Sequence, residues 1–344
     1  MMETGILVVM VQQALPVLLL IMALTVVVLG KGADLLVDEA VGVSRRLGVS
    51  PLLIGATIVS LGTTLPEAAV SVLAAVQGRP EIALGNAVGS IICDTGLIIG
   101  LTTLWSPLPL DRRLVNRQGW VQFCAGLLLV AACIPFFSMR QIFFLGGMLP
   151  QFMGVFFLLL LAGYFWLSFH WSRGGRPPAA AERGARPAVR AFQLASVIKL
   201  LCGISLVVAA SHVLIPVVQA IALRLAIPEG VVSATLVAFG TSLPELVTAV
   251  AAVRKGAGEL AIGNVIGADI LNVLFVAGAA ATVTQPGLLA PPHFFHTLFP
   301  AMLIILAVFR IGIHFSGAHL RRGFGLTLLG LYAGTTLLSY THGG

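Results

Sequence analysis

Charge is what this sequence has least of. Only 10% of its 344 residues are Asp, Glu, Lys or Arg, and no more than 13 are acidic. A soluble domain carries about a quarter charged residues, so a soluble enzyme is excluded as the ordinary reading. Cysteine is equally scarce. Cys93, Cys124, Cys133 and Cys202 stand singly in apolar stretches, with no CxxC pair and no His/Cys cluster. That pattern argues against a zinc or disulfide framework and reads as small buried hydrophobes. No HExxH motif or nucleophile–base pair is present, which leaves catalysis without a motif and the chain without an implied cofactor. Residues 1–5 lack a basic n-region, and the apolar run behind them is expected to continue into a full-length span rather than a cleaved signal.

What the chain has in abundance is apolar length. Hydrophobic residues make up 58%, and the mean hydropathy is +1.03. An all-α polytopic membrane protein follows, embedded in a lipid bilayer. The pI near 9.8 and the net charge of +7 do not indicate nucleic acid, because the basic residues fall in short connections between apolar spans. With about 20 residues per crossing, ten helices are expected. They lie at about 14–44, 51–77, 81–106, 117–136 and 148–170, then at about 192–226, 229–253, 258–283, 293–312 and 323–341. The segment 172–190, rich in Arg, Gly, Pro and Ala, reads as a linker between a first half, 1–171, and a second, 191–344.

Five spans per half is an odd number, so related halves must enter the membrane from opposite sides. Alternate loops carry Arg45 and Arg46, then Arg112, Arg113 and Arg117, then the arginines of the linker, then Arg254 and Lys255, then Arg310, Arg321 and Arg322. The intervening loops hold only Arg79, Arg140 and Arg224. The positive-inside rule makes the first set cytoplasmic, with the linker, and both termini extracytoplasmic in the cell (inner) membrane. Two inverted five-helix repeats are the architecture of many secondary transporters, with the site at the midplane.

Two stretches carry the duplication. Gly62-Thr63-Thr64-Leu65-Pro66-Glu67 leads on to Gly85-Asn86-Ala87-Val88-Gly89-Ser90, and Gly240-Thr241-Ser242-Leu243-Pro244-Glu245 leads on to Gly263-Asn264-Val265-Ile266-Gly267-Ala268. A gapless offset of about 178 residues aligns them, with roughly sixteen of about forty positions identical. Each copy sets a carboxylate beside a proline inside an apolar span. Proline breaks the helix and frees carbonyl oxygens, which at membrane depth must line a cavity or find a partner. With the hydroxyls of Thr63, Thr64, Thr241 and Ser242 and the charges of Glu67 and Glu245, the result is an oxygen-only cluster suited to hard cations. A bare proline kink is the bland alternative, and the repetition of the acid makes it poor.

Glu67 and Asp94 are expected at nearly one depth on adjacent antiparallel helices, with Ser90 and Asp94 on one face. Gly85 with Gly89, and Gly263 with Gly267, read as close-packing pairs. Asn86 and Asn264 either cap a helix break or bridge the halves. Asp34, Asp38 and Glu39 face either the cytoplasmic water or the Arg45–Arg46 loop and read as a solvated face rather than a site; Lys31, Lys199 and His212 lie within or near spans, where they could pair with an acid.

The paired G-T-[ST]-L-P-E and G-N-x-x-G-[SA] stretches resemble the alpha repeats of the sodium/calcium exchanger superfamily, over residues 55–100 and 233–278. The resemblance implies an antiporter moving Ca²⁺ against Na⁺, with H⁺ as the alternative coupling ion, and no fixed oligomer. It implies Glu67 and Glu245 as shared calcium ligands aided by Thr63 and Thr241, with Thr64 and Ser242 neighbouring. Ser60 and Ala238 would lend backbone carbonyls, and Ser90, Asp94 and Asn272 would complete the sodium sites. In such proteins the long first and sixth helices slide over the ligand-bearing core. Three departures stand out: Asp94 where an asparagine is usual, Ala268 where a serine is usual, and Asp269 where an asparagine is common. Three central acids, Glu67, Glu245 and Asp94, overcompensate one Ca²⁺, which makes Asp94 the candidate to carry a proton.

Overall fold

The computed structural model describes residues 2–135, 142–173, 194–225 and 240–342. In the first half lie α1 (Met2–Gln12), α2 (Leu15–Leu47) and the pair α3 (Pro51–Thr63) and α4 (Leu65–Val76), bent by 43° at their junction. Next come α5 (Pro80–Trp105), α6 (Arg112–Cys133) and α7 (Gln151–Arg173). The second half holds α8 (Leu194–Arg224), α9 (Leu243–Arg254), α10 (Gly258–Thr282), α11 (Phe294–Phe315) and α12 (Arg322–His342). Among the described residues six helices are long and apolar enough to cross a membrane, or seven if the bent pair α3 and α4 is one span. The chain is an all-α multi-pass membrane protein. Each of the ten expected spans meets a helix, although the start of the seventh and most of the linker lie outside the described residues.

Two details differ from expectation. The first apolar run is two helices rather than one: Ala14 is extended, and Pro16 sits in the first turn of α2, where its missing N–H goes unused. A small ribbon also forms, with β1 (Gly147–Pro150) antiparallel to β2 (Gly287–Ala290).

The layers sort by burial. The most apolar stretch of α10 is 94% buried and that of α5 72%, whereas those of α2 and α7 are only 22% buried. Phe144, Phe152, Leu159 and Trp166 project outward, as a lipid-facing surface requires. Cys93 and Cys133 are buried, but Cys124 and Cys202 are exposed on that surface, against the expectation that all four are core residues.

Close helix approach depends on glycine. A Cβ on Gly263 would lie 2.1 Å from the carbonyl oxygen of Leu52, and one on Gly267 2.6 Å from Ala56. These two glycines therefore seat α10 directly on α3, as expected of a small-xxx-small pair. At the first-half counterparts, Gly85 meets the ring of Phe294 at 3.7 Å and Gly89 meets none of the described residues. The long helices α2 and α8 cross where Gly32 faces Leu206 and Gly203 faces Leu36.

At the Arg45 end, the acids of α2 are paired. Asp34 meets Arg254 at 2.5 Å and Lys255 at 3.7 Å, Asp38 meets Lys255 at 2.7 Å, and Glu39 meets Lys199 at 3.6 Å and Arg46 at 3.7 Å. The face is solvated, with the Asp38 side chain 64% exposed, and it also carries an ion-pair network tying α2 to α8 and α9, in which Lys199 pairs with an acid and Glu39 meets Arg46 in the last turn of α2.

Candidate cation site

The two proline motifs build the same backbone. α3 ends at Thr63, Thr64 takes φ −84° and ψ −4°, and α4 starts with Pro66 in its first turn. In the second half Ser242 takes φ −83° and ψ 9° before α9, with Pro244 in its first turn. Glu67 and Glu245 consequently sit in the first turns of α4 and α9, where unpaired backbone N–H groups favour negative charge. The neighbouring helices widen as well. Residues Gly55–Val59 of α3, Ile92–Ile99 of α5 and Asn272–Ala277 of α10 are π-helical, and such turns release carbonyls from the regular ladder. One of these, Ala56 O, accepts from Tyr164 Oη at 2.9 Å.

The halves are stitched by crossed hydrogen bonds. Thr63 Oγ1 donates to Asn264 Oδ1 at 3.4 Å, and Thr241 Oγ1 donates to Asn86 Oδ1 at 3.3 Å. The same relation runs once in each direction, so the two asparagines bridge the halves, the second of the two roles open from sequence. Thr64 Oγ1 donates to Glu245 Oε1 at 3.3 Å, and the hydroxyls of Ser90 and Thr241 lie 3.5 Å apart. Asn86 Nδ2 also reaches Glu67 O at 3.3 Å and Ser71 Oγ at 3.0 Å.

Many oxygens in this cluster are buried and lack a donor among the described residues. They include both carboxylate oxygens of Glu67 and of Asp94, one each of Glu245 and Asp269, and Asn272 Oδ1; the Ser242 hydroxyl lies beside Asp94 and Cys93. Nor does any Lys, Arg or His among the described residues form an ion pair with these four acids. They lie within electrostatic reach of one another. Isolated carboxylates at this depth are costly, and a bound cation would supply the missing charge. No three Asp, Glu, His or Cys side chains converge on one point among the described residues, so a cation held here would need hydroxyl and amide oxygens as well.

Most of the residues singled out from sequence are drawn together. Thr63, Thr64, Glu67, Ser90, Asp94, Ser242, Glu245 and Asn272 are all buried, and Thr241 is partly so. Ser60 O accepts from Thr64 N at 2.9 Å, and lies 3.3 Å from Thr63 Oγ1, whose one proton serves either Ser60 O or Asn264 Oδ1. Ala238 lies outside the described residues. Sequence reading missed Thr95, Gln122 and Tyr164. Gln118 and Gln122, two amides one turn apart in an apolar span, were the available signal.

A family model described as "Sodium/calcium exchanger protein" matches residues 16–170 and 195–341. Inner membrane protein YrbG of Escherichia coli K12 is 33% identical over 91% of this chain and 93% of its own length. Sodium/calcium exchanger MaX1 of Methanosarcina acetivorans is 31% identical over 91% and 95%. Structures of the sodium-calcium exchanger NCX_Mj align with a TM-score of 0.76 at 25% identity, covering 96% of this chain and 99% of theirs. With its duplicated motif, crossed hydrogen bonds and uncompensated buried acids, the chain belongs to the sodium/calcium exchanger family of membrane cation antiporters.

Proposed function

We propose that this antiporter exchanges Ca²⁺ for Na⁺ by alternating access, with Glu67 and Glu245 as Ca²⁺ ligands shared with the Na⁺ sites. The observation that carries the reading is the crossed pair Thr63–Asn264 and Thr241–Asn86 around two glutamates that no cationic side chain among the described residues neutralises. Sodium and calcium sets that share both carboxylates cannot be complete together. Exchange follows if the empty, charged site crosses the membrane poorly. Ser90, Asp94 and Asn272 complete the Na⁺ ligands in this reading.

The two halves are read as inverted repeats, residues 1–171 and 191–344, joined by a cytoplasmic linker at 172–190 with both termini outside. Reciprocal pairings support this. Residues 108–110, after α5, pair with 318–320, between α11 and α12: Leu110 N donates to Ala318 O at 2.7 Å and Leu320 N to Leu108 O at 2.9 Å. In return β2, after α10, pairs with β1, between α6 and α7. Pro109 and Gly287 are related by the same offset as Glu67 and Glu245. A cavity of about 1320 Å³ opens at the basic end between Pro51, Asp111, Arg113, Lys255 and Glu259.

Proteoliposomes loaded with Na⁺ test the reading: an outward Na⁺ gradient drives Ca²⁺ uptake. Uptake that ignores Na⁺ and follows a pH gradient instead supports proton/calcium exchange, the second reading, which the extra carboxylate at Asp94 favours.

A further inference from the structure

The basic end of the molecule holds two groups of cations, and only one is neutralised from within. Arg46, Lys199, Arg254 and Lys255 pair with the acids of α2. Arg113 and Arg117 of α6 and Arg310 of α11 pair with no acid among the described residues. Two of these three are nevertheless held in place. The Arg117 guanidinium lies 5.5 Å over the ring of Trp171, near the end of α7, and that of Arg310 lies 4.5 Å over Trp120. Arg310 Nη2 also donates to Asn116 Oδ1, while its Nε and Nη1 have no acceptor among the described residues. Asp111 adds an acid close by, but its Oδ1 caps α6, accepting from the N–H groups of Arg113 and Leu114 at 2.9 and 3.3 Å.

The uncompensated arginines belong to a longer pattern on α6. Arg113, Arg117, Trp120, Cys124 and Leu127 recur at helical spacing, and all five are exposed. The opposite side, with Val115, Gln118, Gln122 and Leu129, is buried. Over about 21 Å of helix the exposed stripe passes from two arginines through an aromatic ring to apolar side chains. Water would not favour the apolar half, and hydrocarbon would not favour the arginines. A phospholipid suits both, with its phosphate level with the arginines and its chains beside Cys124 and Leu127. There is also room for a headgroup, because Arg113, Arg117 and Trp171 line the cavity of about 1320 Å³ at the basic end, together with Arg45. The other acids of that cavity are already engaged: Asp38 by Lys255 at 2.7 Å, and Glu259 by the Ser50 hydroxyl at 3.3 Å. We propose that this stripe binds an anionic phospholipid, its headgroup phosphate held by Arg113 and Arg117 and flanked by Trp120 and Trp171, with Arg310 adding a fixed third charge. Guanidinium groups donate to phosphate oxygens in pairs, and basic pockets at helix ends suit anionic headgroups. The site does not depend on which ion drives exchange.

The test titrates phosphatidylglycerol, with phosphatidylcholine as the zwitterionic control, into the full-length purified protein in neutral detergent. Bound lipid is counted by native mass spectrometry. Wild type is compared with Arg113→Gln/Arg117→Gln and with Arg321→Gln/Arg322→Gln, which removes two arginines from the same end but outside the stripe. Wild type should prefer phosphatidylglycerol. The first variant should bind it about 25-fold more weakly, roughly fivefold for each arginine, and the second should match wild type. Equal loss in both variants would indicate diffuse charge attraction and overturn the site, as would unchanged binding in Arg113→Gln/Arg117→Gln. Loss of the phosphatidylglycerol preference on adding inorganic phosphate would make this a soluble-anion site and overturn the lipid assignment. Should the first variant prove unstable in phosphatidylcholine, Arg113→Gln alone, which leaves Arg117 on Trp171, is read the same way with a fivefold loss expected.

Discussion

The two halves of the cation cluster share a backbone but not a hydrogen-bond economy. In the first half Asn86 is saturated: it accepts from Thr241 and donates to Glu67 O and Ser71 Oγ. In the second half Asn264 accepts from Thr63, and its Nδ2 has no partner among the described residues. One of the two missing contacts has a one-atom cause, since Ala249 stands where the first half has Ser71. The glutamates differ likewise. Thr64 holds one oxygen of Glu245, whereas neither oxygen of Glu67 is held by a described residue. Duplication supplied the frame, and divergence at unpaired positions left the first half rigid around Asn86 and its glutamate free.

Removing either glutamate's charge should erase the comparison. Glu67→Gln and Glu245→Gln are each expected to lower Na⁺-driven Ca²⁺ uptake in proteoliposomes by roughly a hundredfold or more, equivalent to about 2.7 kcal/mol of lost cation stabilisation. Uptake within a few fold of wild type in either variant would remove that residue from the shared site.

The next largest effect concerns Asp94 and Asn272, which exchange carboxylate and amide across the repeat. Asp94→Asn should retain Ca²⁺ binding and lose whatever pH dependence uptake has. The double variant Asp94→Asn/Asn272→Asp returns the charge to the other half. Recovery of coupled uptake would mean that total charge matters more than its location, and no recovery would mean the halves are functionally distinct.

Stability sharpens the asparagine contrast. Asn86→Ala breaks three hydrogen bonds and Asn264→Ala only one, so the first should destabilise the purified protein by about 1–3 kcal/mol more, read as a lower Tm. Equal shifts would show that the third and second contacts contribute nothing. The smallest effect is a gain: Ala249→Ser offers Asn264 Nδ2 the acceptor that Ser71 offers Asn86, and should raise stability by about 0.5–1 kcal/mol. A lower Tm would mean that the α9–α10 contact has no room for the hydroxyl.

Much of this was legible in the chain. Glycine, proline and glutamate at fixed offsets announced the break, because proline's missing N–H and glycine's lack of a Cβ act through the local backbone. Spans were readable because a bilayer imposes length and apolarity on every crossing. The acids of α2 were not, since pairing of Asp34 with Arg254 depends on helices more than two hundred residues apart meeting at one end. Gln122 escaped notice for the same reason. An amide in an apolar span has no motif until Asp269 and Thr95 arrive beside it.

By itself, then, the sequence determined a membrane-embedded, duplicated chain with two proline-broken helices, each carrying one acid. Those are matters of composition and short-range stereochemistry. Only the tertiary structure decided that Thr63 reaches Asn264 while Thr241 reaches Asn86, and that Asp269 accepts from both Thr95 and Gln122. Hydrogen bonds of about 3 Å between distant segments are set by how α3, α5, α6 and α10 pack, and no local rule contains that geometry.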